Sequence, residues 1–142
     1  LEKKYRRLAE KLPNPIVMSF YEPARLLEIL HMADLYVHTS DAEIEAMSCM
    51  EAFACGLVPV IADSPRSATP QFALDERSLF PAGDTDVLAE RIDWWLEHPE
   101  ERREMGRQAR ERFQTSFTGQ VFAKNIENVY QGVLKGDPHG RK

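Results

Sequence analysis

The sequence predicts an α/β fold, a parallel sheet flanked by helices. Two short apolar runs, Leu35-Tyr36-Val37-His38 and Val58-Pro59-Val60-Ile61-Ala62, enclose a loop and a segment of helical character from about Glu45 to Ala54. Gly56 follows as a helix stop, because glycine accepts the left-handed conformation that closes a helix. The resulting strand–loop–helix–strand unit is the building block of parallel sheets. Finally, 142 residues with 43% hydrophobic content suit one domain with a core of its own.

The elements follow in order. Leu1–Leu12 carries Leu1, Tyr5, Leu8 and Leu12 at helical spacing, which predicts an amphipathic helix covering a sheet face. Its Lys3, Lys4, Arg6 and Arg7 are read as a solvated face rather than a phosphate site. Pro13-Asn14-Pro15 breaks that helix, and Ile16–Phe20 is expected to be a strand. Pro23 fits the first position of the next helix, Ala24–Met32, in which His31 lies late and is read as structural. After Ala62, Phe72-Ala73-Leu74 is a short buried segment and Ser78-Leu79-Phe80 a last short strand.

Pro81–Asp84 is a turn, with Asp84 or Thr85 as cap for a helix whose apolar stripe is Val87, Leu88, Ile92, Trp95 and Leu96. Trp94 and Trp95 are packing residues on this reading. Pro99 opens a strongly charged surface helix with Glu-to-Arg pairs and a thin seam of Met105, Ala109 and Phe113. Ser116 or Thr118 caps a final helix, whose Val121, Phe122, Ile126, Val129, Tyr130 and Val133 are expected to pack inward. Residues 135–142 read as a frayed tail beyond a domain of residues 1–134.

Composition narrows the function. A net charge of −5 argues against nucleic acid as a partner and against this stretch as the main anchor on an anionic membrane. No run approaches the ~18 apolar residues of a membrane span. Cys49 and Cys55 flank one short helix without metal-ligand spacing and read as two reduced thiols. The chain opens on Leu and directly on a helix, so it is expected to belong to a longer protein.

The stretch Asp41–Pro59 carries the chemistry. In parallel sheets ligands sit outside the carboxyl ends of strands, where the loop after Val37 lies. Glu43 stands before the helix and Glu51 within it, with seven residues between them. The first helical turn between them offers unpaired N–H groups and the positive end of the helix dipole. That is a place for a diphosphate, with the carboxylates accepting from sugar and ribose hydroxyls. As plain helix residues both glutamates would merely be solvated, since their spacing alone is common. His38 reads either as a donor toward sugar or phosphate oxygen or as a half-buried strand cap. Met47, Met50 and Phe53 read as core. Arg66 reads as a solvated loop cation rather than a phosphate contact.

Glu43-x7-Glu51 followed by Ala52-x-Ala54-x-Gly56-x-x-Pro59-Val60-Ile61 resembles the pattern of retaining glycosyltransferases of family 4. The resemblance runs from about Leu1 to Leu134. It implies the Rossmann-like, donor-binding C-terminal domain of a GT-B fold, with its first strands missing. Glu43–Ala46, Ser64–Thr69 and Phe72–Phe80 further resemble bacterial lipid α-glucosyltransferases, whose acceptors are diacylglycerol or cholesterol.

Several positions depart from the family. Thr39 stands where Pro is usual before Ser40, and Glu45-Ala46 replaces an aromatic-Gly pair. At Ala46 the added methyl is expected to leave room for the ligand. Glu45 either bonds a sugar hydroxyl or favours the helix N-terminus. Ser67-Ala68 replaces a glycine pair, and Gln71 stands for Glu after the retained Pro70.

The resemblance implies transfer of a hexose, glucose first, from a nucleotide diphosphate sugar, UDP-glucose first, with retained configuration. Glu43 is expected at the reacting centre. Glu45, Ala46, Met47, Glu51, Ser40 and His38 are expected to bind the donor. No metal and no cofactor besides the donor substrate are expected, and an Arg and a Lys that the family uses come from strands outside this chain. The acceptor lipid is expected to bind through the N-terminal domain. The expected location is the cytoplasm, with peripheral association at the inner face of the membrane. This stretch alone is expected to be inactive. Three alternatives stay open: a nucleotide-sugar-binding protein without transferase activity, a family 4 transferase acting on a polysaccharide, and an unrelated doubly wound module. Absence of Gly-x-Gly-x-x-Gly speaks against a dinucleotide site, and absence of an acidic residue ending an apolar first strand speaks against a receiver.

Overall fold

The computed structural model describes residues 2–135. Its centre is a parallel sheet of three strands, β1 (Leu35–His38), β2 (Val58–Asp63) and β3 (Leu79–Pro81), in that spatial order. Val37 pairs with Val60 and Ile61 with Leu79. Strand β2 is central and its first five residues are all buried. Apolar on both faces, it suits a sheet covered on both sides.

Helix α3 (Met47–Cys55) covers one face and α4 (Thr85–Glu97) the other, with α5 (Pro99–Ser116) reaching both. On the α3 side, Ala46, Cys49, Phe53, Ile61, Phe72 and Ala109 form one cluster. On the α4 side, Val58, Val60, Ala62 and Phe80 pack against Trp95, which is wholly buried. The indole N–H donates to the Arg77 carbonyl at 3.3 Å, which removes the cost of burying it unpaired.

Local chemistry explains the element ends. Asp84 caps α4, accepting from the N–H groups of Asp86 and Val87. Pro23 and Pro99 sit at the starts of α2 (Pro23–Met32) and α5. Gly56 closes α3 at φ 79°, and Thr118, not Ser116, caps α6 (Gly119–Leu134). The seam of α5 holds as expected, but its tightest contact is glycine. A Cβ on Gly106 would lie 2.1 Å from the Gly56 carbonyl oxygen, so the helix end of α3 rests directly on the backbone of α5.

Four expectations are corrected. Residues 16–20 form no strand. A strand exists only in pairing with a neighbour, and the described residues place none beside this segment, leaving Val17 76% and Phe20 102% exposed. Helix α1 (Glu2–Ala9) covers no sheet face and buries no residue; among the described residues its one long-range side-chain hydrogen bond is Arg6 donating to the Met18 carbonyl at 3.0 Å. The apolar stripe of α6 does not pack inward, since Phe122, Ile126, Val129, Tyr130 and Val133 are all exposed. Helix α3 begins at Met47 rather than Glu45, because Ala46 takes a left-handed conformation. Among the described residues no helix is long and apolar enough to cross a membrane. The expected frayed tail lies, from residue 136, outside the described residues.

Candidate donor-binding site

The site is built at the carboxyl end of β1 and β2. The chain leaves β1 at His38, runs through an open loop, and enters α3 at Met47. That loop is fastened to the loop after β2. Ser64, 2% exposed, donates to the backbone carbonyl and to the carboxylate of Asp41, both at 2.7 Å. Asp41 also forms an ion pair with Arg66. Glu43 and Ser67 make a single parallel bridge, with Glu43 N–H donating to the Arg66 carbonyl at 3.4 Å and Ala68 N–H to the Glu43 carbonyl at 2.9 Å. The backbone that carries Glu43 is thus held from both sides. Arg66 is an exposed loop cation, but its partner is the loop that carries Glu43.

The Glu43 side chain is half-buried and accepts from the Ile44 N–H at 3.0 Å, leaving its other carboxylate oxygen available. Glu43, Ile44, Glu45, Ala46, Met47 and Ser48 line one open cavity of about 560 Å³. Four of the residues expected from sequence therefore meet in one place. Met47 belongs to its wall, 59% exposed, and not to the core as its spacing suggested. No side chain caps α3, and with the Cys49 N–H donating to the Ala46 carbonyl at 2.9 Å, the N–H groups left without an intrahelical partner are those of Met47 and Ser48, two residues of the cavity wall.

Glu51 lies one turn further along α3 and is exposed. It lines a second, larger groove of about 830 Å³ beside the first, whose apolar wall includes Met50, Phe72, Phe113, Phe117 and Phe122. Ile44, Glu45 and Met47 border both spaces. The two glutamates thus address adjoining compartments with one shared rim.

Ser40 and His38 line neither space. The Ser40 hydroxyl donates to the Ala42 carbonyl at 3.1 Å and shapes the loop. His38 is 8% exposed; its Nδ1 is 2.9 Å from the Tyr36 hydroxyl, and its Nε2 is sealed from solvent without a partner. Tyr36 in turn meets the Ser48 hydroxyl at 2.7 Å. Burial pushes the Tyr36 phenol above its ordinary range, partly offset by the bond to Ser48, so it stays protonated near neutrality. Neither Tyr36 nor Ser48 was singled out from sequence. Alternation along β1 puts Tyr36 and His38 on one face, but nothing in the sequence says that this face meets the start of α3.

Ala46 is the one non-glycine residue with positive φ among those described, at φ 48° and ψ 52°. Its methyl is accommodated, at 4% exposure. The cost of alanine here is conformational, about 1–2 kcal/mol for an L-residue in this region.

Residues 1–112 match the family described as "Glycosyl transferases group 1". The chain belongs to that family. A solved relative, the catalytic domain of cholesterol-alpha-glucosyltransferase from Helicobacter pylori, is 47% identical. The match has a TM-score of 0.76 and covers 80% of this chain and 72% of that one. A curated relative, the N-acetyl-alpha-D-glucosaminyl L-malate synthase of Bacillus anthracis, is 32% identical over 116 residues, 80% of this chain and 30% of its own. The group 1 chain therefore spans about a third of that curated relative's length. Its parallel sheet between helices matches the Rossmann-like GT-B fold of the solved relative.

Proposed function

We propose that the full-length protein is a retaining hexosyltransferase that moves glucose from UDP-glucose to a membrane lipid, and that this chain holds the donor. The observation that carries the reading is the cavity shared by Glu43 and the uncapped start of α3, at the carboxyl end of a parallel strand. There the first-turn N–H groups and the helix dipole face the charge that builds on a leaving diphosphate. Glu43 meets the hexose at the reacting centre. Glu45, Ala46 and Met47 wall the diphosphate, and Glu51 accepts from the ribose hydroxyls in the adjoining groove. Ser40 and His38 act from behind this wall.

The printed names of both relatives carry an α-linkage. An α-linked nucleotide sugar that yields an α-product is transferred with retention, which supports that part of the reading. Glucose and a lipid acceptor follow the more similar of these two relatives, whose printed acceptor is cholesterol. The other's printed product contains L-malate, which favours a small hydroxy acid as the second acceptor to test.

The experiment supplies the full-length protein with UDP-[14C]glucose and, separately, sterol or diacylglycerol vesicles, L-malate and a polysaccharide. Label in the organic phase with an α-anomeric coupling by NMR supports the proposal. Label on malate or polysaccharide moves the acceptor, a β-product removes retention, and UDP binding without transfer to any acceptor leaves a nucleotide-sugar-binding protein.

A further inference from the structure

The contacts behind the cavity wall assign a role to three side chains that line strand and helix. Tyr36 and His38 stand two residues apart on one face of β1, their rings stacked with centroids 5.9 Å apart. The Tyr36 hydroxyl is shared between His38 Nδ1 at 2.9 Å and the Ser48 hydroxyl at 2.7 Å. Ser48 is the second residue of α3 and lines the cavity that holds Glu43. One phenol thus ties the end of the central sheet's edge strand to the first turn of the helix, whose Met47 and Ser48 line the cavity.

We propose that Tyr36 is a positioning residue for donor binding, holding Ser48 and the start of α3 in register with the Glu43 loop, and that His38 acts through Tyr36 by its Nδ1 edge. This rests on reading the cavity as the donor site. A tyrosine hydroxyl can donate once and accept. With Ser48 donating to Tyr36, the phenol donates to Nδ1; with Nδ1–H donating to Tyr36, the phenol donates to Ser48. Either direction satisfies every member except Nε2, which has no partner and no solvent contact. The working edge of the imidazole is therefore the one turned to Tyr36. The need for such a tie is local. Ala46 enters the helix in a left-handed conformation and no side chain caps α3, so the loop holds the first turn through the Ala46 backbone carbonyl alone.

The test measures UDP affinity by calorimetry and the UDP-glucose KM in the full-length protein. Tyr36→Phe and Ser48→Ala are each expected to weaken donor binding about fivefold, in line with loss of the neutral Tyr36–Ser48 hydrogen bond that reaches α3. The double variant is expected to be no worse than the weaker-binding single one. His38→Asn places an amide where Nδ1 sits and is expected to bind as the parent does. His38→Gln places one where Nε2 sits and is expected to lose as much as Tyr36→Phe. Val60→Ala, in the cluster on the far face of the sheet, is the stability control and is expected to leave donor affinity unchanged.

Additive losses from Tyr36 and Ser48, or an equal loss from Val60→Ala at a matched fall in melting temperature, overturn the tie. A normal His38→Gln with a defective His38→Asn overturns the Nδ1 assignment. Parent protein that binds UDP while Tyr36→Phe binds equally well sinks this proposal alone. Parent protein that binds no UDP sinks the donor-site reading and the proposal with it.

Discussion

Ala46 makes the entrance of α3 by adopting a conformation that glycine would take freely. Ala46→Gly is expected to fold with stability within about 1 kcal/mol of the parent, because relief at φ is offset by a lost buried methyl and a freer unfolded chain. Ala46→Val adds a β-branch in the same conformation and is expected to cost about 1–3 kcal/mol, read by urea unfolding. If Val is tolerated as well as Gly, the left-handed entrance is wrong. The two glutamates should separate kinetically, since they border different spaces. Glu51→Ala in the full-length protein is expected to weaken donor affinity with little effect on turnover. Glu43→Gln is expected to lower kcat more than it raises KM, the mark of an interaction strengthened in the transition state. A loss confined to KM for Glu43→Gln, or unchanged UDP binding for Glu51→Ala, removes the corresponding role.

Helices α3 and α5 meet where Gly106 faces Gly56, backbone against backbone. Gly106→Ala gains helix propensity but puts a methyl where a carbonyl oxygen stands, and neither backbone can yield cheaply. It is expected to destabilise by about 3 kcal/mol, at the upper end for overpacking, as a lowered urea midpoint. A stabilised Gly106→Ala would mean the helices are not this close. The outward face of α5 is surface. Arg107 and Gln108 hold the Glu104 carboxyl down to about 2 by hydrogen bonding. A depressed folded-state value makes that carboxylate's contribution full above the unfolded carboxyl's range, and it is lost progressively as pH falls from that range to about 2. Carbon-detected NMR titration should find Glu104 still ionised at pH 3; being exposed on the surface, it governs little of the stability.

Elements of this kind were readable in order from turn chemistry and spacing: Pro23, Gly56, Asp84 and Pro99 each sit where the structure starts or stops a helix. The strand–loop–helix–strand unit and the meeting of Glu43 with Glu45–Met47 were readable too. Gly106 was not, because a close backbone approach depends on which helix crosses which. The Tyr36–Ser48 tie was hidden for the same reason, joining residues twelve apart across two elements. Residues 16–20 misled because an apolar run reports a wish to be buried, and pairing needs a neighbour that composition does not supply.

At the scale of the molecule, order is graded from the middle of the chain outward. Every buried residue among those described lies between His38 and Ala109, in the sheet, α3, α4, the seam of α5 and the segments that join them, while α1, the segment up to Tyr21 and most of α6 leave apolar side chains in water. Cysteine chemistry reports this gradient directly. Cys49 is fully buried in the α3 cluster, and burial pushes its thiol up to about 12. Cys55, at the end of the same helix, is only partly buried, and its thiol is raised with the charge of Arg110 acting the other way. The thiolate is the reactive species, so at pH 8 a disulfide reagent is expected to modify Cys55 first and Cys49 only as the core opens. Two kinetic phases at low urea, merging into one fast phase beyond the unfolding midpoint, would show that α3 and β2 form a core that excludes solvent. Equal, fast reaction of both thiols without denaturant would mean that the α3 face is not closed. The loop bearing Glu43 would then lack the platform on which the proposed donor cavity is built.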